Sequence, residues 1–197
     1  MNNNLILGFL CSHGGSNMQA IIDNIKNGKL NAKAGAVISN NSDAFALKRA
    51  EKENIPAYHI SNKTHDDVDA EIINIFDKYN VNTVILAGYM KIVSKRIIEH
   101  YNGRVLNIHP ALLPKFGGEG MYGINVHKAV ILSGAKVSGA TIHLVTPNYD
   151  DGKILNQMEV PVYTSDTPQI LADRVLETEH ILYSDTLIKI ANGDIKI

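Results

Sequence analysis

Two patterns of hydrophobic and polar residues alternate along the first half of the chain. Short apolar runs, typical of buried strands, lie at 5–11, 34–39, 56–60, 82–88 and 104–109. Segments with apolar residues at helical spacing separate them, at 16–28, 43–53, 65–79 and 92–101. Alternating strands and helices are joined by right-handed crossovers. The pattern therefore predicts an α/β fold with a doubly wound, mainly parallel, Rossmann-like sheet.

The second half of the chain follows a different pattern. Residues 137–146 and 153–163 have the pattern of two longer strands around a turn, which predicts an antiparallel C-terminal extension of the sheet. Thr167 and Pro168 suit the start of a helix, and 168–191 are predicted to form one long closing helix. We expect a single domain over 1–197, because 45% of the residues are hydrophobic and no linker is visible.

Composition narrows the classes of partner. The formal charge is −1 and the basic residues are scattered among acids, so we expect small molecules rather than nucleic acid or a membrane surface. Cys11 is the single cysteine, which excludes an internal disulfide, fits the cytoplasm and suggests a buried apolar side chain rather than a nucleophile. The eight histidines lack the spacing of metal ligands, so no metal site is expected.

The strand at 104–109 ends in polar side chains. Asn107 and His109 project to the same face, roughly 6–7 Å apart, and Pro110 ends the ladder just beyond them. Ligands bind at the carboxyl edge of an open parallel sheet, so this pair is a candidate for acid–base chemistry. The alternative is that both side chains only cap loop backbone groups.

Two other loops carry candidate chemistry. Ser12 to Asn17 joins the first strand to a helix, where glycines and free backbone N–H groups favour phosphate; an ordinary turn capped by Ser16 or Asn17 is the alternative. Asp150 lies in the turn between the last two strands, and the alternative to a functional role is a solvated turn. If Asp150 reaches His109, it would orient the ring and stabilise the imidazolium.

Five segments together resemble the phosphoribosylglycinamide formyltransferases, a family of the folate-dependent formyltransferase superfamily. The similarity extends over nearly the whole chain, and the Asn-Ile-His-Pro-Ala-Leu-Leu-Pro motif is specific to the superfamily. Within the superfamily, the assignment to the phosphoribosylglycinamide formyltransferases rests on the first loop and on the Ser-Asn-x-x-Asp-Ala segment. The segments are 12–21, 39–46, 86–92, 106–114 and 174–180.

The resemblance implies transfer of the formyl group of 10-formyltetrahydrofolate to the amine of glycinamide ribonucleotide, a step of de novo purine biosynthesis, without a metal. It implies a cytoplasmic monomer or weak homodimer whose N-terminal half binds the ribonucleotide and whose C-terminal half binds folate and holds the catalytic residues. It makes Asn107, His109 and Asp150 catalytic. The resemblance assigns ribonucleotide binding to Gly14, Gly15, Ser16, Asn17 and Glu179. It assigns folate binding to Tyr89, Met90, Lys91, Ile92, Val93 and Asn107.

The chain departs from the family pattern at several points. His13 replaces a frequent glycine of the first loop, and Lys91 follows Met90 where arginine is familiar. A family arginine near 61–67 is absent, with Lys63 or His65 as candidate substitutes. The segment 115–123 is longer than expected, and its glycines predict a mobile flap over the substrates.

Three other functions are alternatives to formyl transfer to glycinamide ribonucleotide. Formyltetrahydrofolate deformylase normally carries an additional N-terminal domain, and methionyl-tRNA formyltransferase carries a C-terminal RNA-binding domain, so neither is expected of 197 nearly neutral residues. A catalytically silent nucleotide- or folate-binding module is the third, since a fold alone does not establish activity. Such a module would lack at least one of the catalytic trio Asn107, His109 and Asp150, and all three residues are present.

Overall fold

A computed structural model describes residues 4–197. In this part of the chain, seven strands form one sheet in the order β3-β2-β1-β4-β5-β6-β7. The strands are β1 Leu5–Cys11, β2 Ala32–Ser39, β3 Ala57–His59, β4 Thr83–Leu86, β5 Val105–His109, β6 Val137–Leu144 and β7 Ile154–Pro161. The helices are α1 Ser16–Lys26, α2 Phe45–Lys52, α3 Val68–Lys78, α4 Lys95–His100, α5 Ile124–Leu132 and α6 Pro168–Asn192.

The strands β1 to β5 are all parallel, which confirms the predicted doubly wound arrangement. The chain first builds the sheet outward from β1 to β3 and then continues on the other side of β1 with β4 and β5. The strand order therefore reverses between β1 and β4. In open α/β sheets the ligand crevice lies at this switch point, outside the carboxyl ends of the strands.

The last two strands form the predicted antiparallel extension. β6 pairs antiparallel with β5, and β7 pairs antiparallel with β6 at the sheet edge. The closing helix α6 begins at Pro168, where the Thr167 side chain accepts a hydrogen bond from the backbone N–H of Ile170. This is the predicted helix start, with proline at its first position.

The helix α5 is an element that the sequence pattern did not predict. It follows the glycine-rich segment 115–123 and covers nine residues, several of them β-branched. Such residues are weak helix formers, so the local sequence gives little helical signal. Val126 and Val130 lie on its buried face, and α5 packs against α6. Burial of this face is what stabilises the helix.

Two apolar cores cover the two faces of the sheet. One contains Phe9 and Leu106 with residues of α1, α2, α5 and α6, and the other contains Leu10 and Phe76 with residues of α3 and α4. Both faces of the parallel strands are thus covered, which explains their nearly continuous apolar sequences. None of the helices within residues 4–197 combines the length and apolarity that a membrane span needs.

Candidate active site

The three residues of the predicted trio converge at the carboxyl end of β5. Asn107 and His109 are the third and fifth residues of that strand. The turn between β6 and β7 folds back over the strand end, and Asp150 Oδ2 lies 3.4 Å from His109 Nδ1. The side chains of His109 and Asp150 are 4% and 12% exposed, so their charges interact with little screening by water.

A fourth side chain, His143, completes this cluster. The antiparallel register pairs His143 of β6 directly with Asn107 of β5. Its Nε2 atom is 3.1 Å from Asn107 Nδ2 and 3.5 Å from Asp150 Oδ1. Its Nδ1 atom donates to the carbonyl oxygen of Leu144 at 2.9 Å, so Nε2 accepts from the Asn107 amide when the ring is neutral and donates to Asp150 when the ring is charged. His143 therefore fixes Asn107 through one amide proton and leaves the second proton free for a ligand.

Sequence reasoning missed His143, because its role depends on the register between two strands. The available signal was the alternation of side chains along the strand predicted at 137–146. Alternation indicates which residues share a face, but it does not determine the partner strand.

The turn that carries Asp150 is shaped by its backbone conformation. Asp150 has φ of 51°, in the left-handed region that aspartate tolerates better than most residues. Gly152 approaches the carbonyl oxygen of Leu144 so closely that a side chain there would collide with it. These two residues direct the Asp150 carboxylate toward β5, whereas its neighbour Asp151 is exposed and accepts from Asn148 at 3.2 Å.

At both His109 and Asp150, burial and neighbouring polar groups shift the pKa in opposite directions. Burial lowers the pKa of His109 below its usual value, although the charge of Asp150 and the carbonyl of Phe116 oppose this shift. Burial favours the neutral acid at Asp150, but His143, His109 and the N–H of Gly118 outweigh it and hold the pKa of that carboxyl below its usual range. Asp150 is therefore the anion of the cluster.

The loop after β5 is held in place by Thr141 of β6. The Thr141 hydroxyl donates to the carbonyl oxygen of Ala111 at 2.6 Å and accepts from the backbone N–H of Leu113 at 3.0 Å. Gln157 of β7 donates to Thr141 Oγ1 at 2.9 Å and to the Leu113 carbonyl at 3.0 Å. The chain that leaves β5 is thus fixed to the antiparallel extension.

The first loop presents an uncapped helix start. The N-cap of α1 is Gly15, with φ of 66°, and no side chain within residues 4–197 caps this end. The alternative prediction of a cap by Ser16 or Asn17 is therefore wrong. Arg49 donates from Nε to the carbonyl oxygen of Gly14 at 2.9 Å, which orders the loop. The free N–H groups and the helix dipole make this end suitable for an anion.

Asn17 and Glu179 meet beside this helix start. Asn17 Nδ2 donates to Glu179 Oε2 at 2.6 Å, and both residues are buried. Burial raises the pKa of the Glu179 carboxyl to about 7, although the donation from Asn17 lowers it. Asn17 Oδ1 is buried and has no hydrogen-bond partner within residues 4–197. A buried polar atom of this kind is expected to meet a donor from a ligand.

Ser12 joins three loops of this edge, a role that sequence reasoning did not assign to it. Its hydroxyl donates to Asn40 Oδ1 at 2.6 Å and accepts from the backbone N–H of Met90 at 2.7 Å. Its carbonyl oxygen accepts from Asn41 Nδ2 at 2.6 Å. The loops after β1, β2 and β4 therefore have fixed relative positions at the switch point.

A cavity of about 1220 Å³ lies beside the trio, between the loops that follow β1 to β4. Five of the six residues that the resemblance assigns to folate line it, whereas the sixth, Asn107, does not: the five are Tyr89, Met90, Lys91, Ile92 and Val93. Lys63 also lines the cavity, as does Tyr149, the residue next to Asp150 of the trio. Its volume is ample for a large cosubstrate, since drug-sized ligands occupy roughly 300–1,000 Å³.

Other candidate groups lie apart from this chemistry. Cys11 is buried, and burial raises the pKa of its thiol to about 12, so it is no nucleophile at neutral pH. Within residues 4–197, no three His, Cys, Asp or Glu side chains form a group that could hold a metal ion.

Comparison with known proteins identifies the class to which this fold and site belong. A family model described as formyl transferase matches residues 6–187. The chain belongs to the formyl transferase family.

Its relatives narrow the comparison within that family. It is 41% identical over 194 residues to a chloroplastic phosphoribosylglycinamide formyltransferase of Arabidopsis thaliana, covering 96% of this chain and 66% of that protein. It is 37% identical over 191 residues to the phosphoribosylglycinamide formyltransferase of Escherichia coli K12, covering 95% and 88%. The crystal structure of glycinamide ribonucleotide transformylase 1 from Symbiobacterium toebii superposes with a TM-score of 0.92 at 34% identity, covering 100% of this chain and 92% of that one.

Proposed function

We propose that this protein transfers the formyl group of 10-formyltetrahydrofolate to the amine of glycinamide ribonucleotide, a step of de novo purine biosynthesis in the cytoplasm. The observation that carries the proposal is the convergence of an amide, an imidazole and a carboxylate at the sheet edge that also carries two candidate ligand sites. One is the uncapped start of α1, and the other is the cavity of about 1220 Å³, which is lined in part by Ser12 and His13 of the same first loop. The names of the relatives agree with this substrate pair.

The ribonucleotide is assigned to the first loop. Its phosphate binds the free N–H groups of Gly14 to Asn17, where the helix dipole favours negative charge. Glu179 accepts hydrogen bonds from ribose hydroxyl groups, and Asn17 Oδ1 accepts from the same substrate. Ligand binding in this way would satisfy the two buried polar groups that meet at 2.6 Å.

The folate is assigned to the cavity, with its formyl group directed past Tyr149 toward the trio. The cavity wall combines the apolar side chains of Ile92 and Val93 with the cations of Lys63 and Lys91. An apolar ring system and a carboxylate tail match this combination of surfaces.

The chemistry follows from the charges that develop during transfer. The neutral amine attacks the formyl carbon, so the tetrahedral intermediate carries negative charge on oxygen and positive charge on nitrogen. The free amide proton of Asn107 and the proton on His109 Nδ1 donate to that oxygen, and loss of one such donor typically costs about 3–4 kcal/mol of barrier. Asp150 accepts the amine proton, directly or through water, and the same proton then passes to the folate nitrogen as the bond between that nitrogen and the formyl carbon breaks.

The test is a turnover assay with purified protein, glycinamide ribonucleotide and 10-formyltetrahydrofolate, followed by formation of tetrahydrofolate. We expect turnover that requires the ribonucleotide. Release of formate without the amine acceptor would assign the deformylase activity instead. Absence of turnover with both substrates, in protein shown to be folded, would favour the silent binding module.

A further inference from the structure

The segment that follows β5 contacts both members of the histidine–carboxylate pair. The carbonyl oxygen of Phe116 lies 2.8 Å from His109 Nε2. Two residues later, the backbone N–H of Gly118 donates to Asp150 Oδ2 at 2.9 Å. The sequence predicted a mobile flap over residues 115–123, whereas this structure ties the first part of that segment to the trio.

The contact with Phe116 determines where His109 carries its proton. A carbonyl oxygen only accepts, so His109 Nε2 must be the protonated nitrogen. Nδ1 is then the only ring nitrogen that is free to meet Asp150 and the reacting formyl group. The carboxylate at 3.4 Å also only accepts, so Nδ1 carries a proton as well whenever the ring is charged. The two acceptors thus flank the ring on opposite sides.

The packing of this segment leaves it little freedom to move away from Asp150. A Cβ atom added at Gly117 would collide with the side chain of Leu113 and would lie 3.1 Å from Asp150 Cβ. Phe116 has φ of 57°, a conformation that bulky residues rarely adopt, and the surrounding contacts must hold it there.

We propose that residues 116–118 form a positioning loop, which keeps Nε2 of His109 protonated, directs Nδ1 to Asp150 and the formyl group, and fixes the Asp150 carboxylate. The proposal rests on the proposed function for its catalytic meaning. Its structural part, the tautomer and charge of His109, is independent of the substrate. The other titratable groups around His109 are His143 of β6 and His127 of α5.

The first test needs no substitution. Two-dimensional ¹⁵N–¹H NMR of the histidine rings in the ligand-free protein reports which nitrogen is protonated through a pH titration. We expect Nε2 of His109 to stay protonated over the whole titration, while Nδ1 alone exchanges its proton. Loss of the proton from Nε2 at high pH would overturn the proposal, because the Phe116 carbonyl would then not set the tautomer.

The second test compares two matched variants, Gly118→Ala and Gly120→Ala. Both glycines have positive φ, 98° and 81°, and neither has an atom within 4 Å of an added Cβ. An alanine therefore introduces backbone strain of similar origin at each position. Only Gly118 belongs to the proposed positioning loop.

In Gly118→Ala we expect the pKa of His109 to fall further, since the loop shifts away and the Phe116 carbonyl no longer favours the charged ring. We also expect kcat for formyl transfer to fall about tenfold with little change in either KM, as for a misplaced catalytic group. Gly120→Ala should leave the titration of His109 as it is in the wild type, because Gly120 lies outside the positioning loop. Equal shifts in the two variants would overturn the proposal. An unchanged titration of His109 in folded Gly118→Ala would do so too, whether or not the protein uses the proposed substrates.

Discussion

The hydroxyl of Tyr183, in the middle of α6, donates a 2.9 Å hydrogen bond to the carbonyl oxygen of Leu106, the residue before Asn107. It also lies 3.3 Å from the carbonyl oxygen of Leu86, at the end of β4. The side chain is fully buried. The helix that carries Glu179 is therefore bonded to β5, one residue before Asn107, and to the end of β4.

This relationship predicts that Tyr183→Phe loses catalytic rate as well as stability. The ring remains and one hydroxyl is removed, so unfolding should cost about 1 kcal/mol less free energy. We expect kcat to fall several-fold, because β5 is less firmly placed. Tyr101→Phe is the control, since Tyr101 is also buried and its hydroxyl donates to Asp77 in α3, away from the trio. Denaturant unfolding and steady-state kinetics of both variants check this, and an equal kcat for both would contradict it.

Asp150→Asn should reduce kcat at least ~10²-fold, as expected for a positioned acid–base group. The amide neither stabilises charged His109 nor accepts the amine proton. Affinity for both substrates should change little. Asp151→Asn is the matched control, because Asp151 is the next residue and is exposed. Equal losses in the two variants would show that the catalytic carboxylate has been misassigned.

Glu179 should make the ligand-free protein less stable as the pH rises. Its folded pKa of about 7 lies above the usual value of 4.5 for a glutamate, so the folded state holds the proton more tightly than the unfolded state. The resulting stabilisation is complete below the unfolded pKa and is lost as pH rises through about 7, an effect of up to about 3 kcal/mol. Glu179→Gln should remove this part of the pH dependence. Glu177→Gln, exposed on the same helix, should keep it when unfolding is measured between pH 4 and pH 8.

The two glycines of the first loop should respond differently to substitution. The sequence alone suggests that Gly15→Val would raise KM for the ribonucleotide. In the structure, a Cβ at Gly15 would lie 2.7 Å from Ala46 Cβ and at positive φ, so the main loss there should be stability. Gly14 has no atom within 4 Å of an added Cβ. Gly14→Val should keep the melting temperature and raise KM for the ribonucleotide about tenfold, with KM for folate unchanged.

Amide hydrogen exchange should divide the segment 115–123 into two parts. The amide of Gly118 donates to Asp150 and should be protected, whereas four of the five residues 119–123 are exposed and the segment lacks a periodic apolar face. The latter amides should exchange faster than those of β5. Protection of residues 119–123 equal to that of β5 in the ligand-free protein would contradict the predicted flap.

The sequence alone determined most of the fold. Apolar runs and helical periods located all seven strands and five of the six helices described within residues 4–197, because burial imposes these periods on the chain itself. The sequence pattern did not predict the helix α5, because tertiary packing, rather than its β-branched sequence, stabilises it. The sequence also singled out Asn107, His109 and the glycine loop, since these residues are polar or small where a buried strand ends.

Tertiary structure alone decided which side chains meet. The pairing of β6 with β5 places His143 against Asn107, and the left-handed turn at Asp150 brings its carboxylate to a histidine 41 residues earlier. Tertiary structure also brings Asn17 to Glu179. It likewise places the Phe116 carbonyl at His109 and the Gly118 amide at Asp150. Local pattern fixes the faces of each strand and helix, but register and turn conformation depend on the packing of the whole sheet.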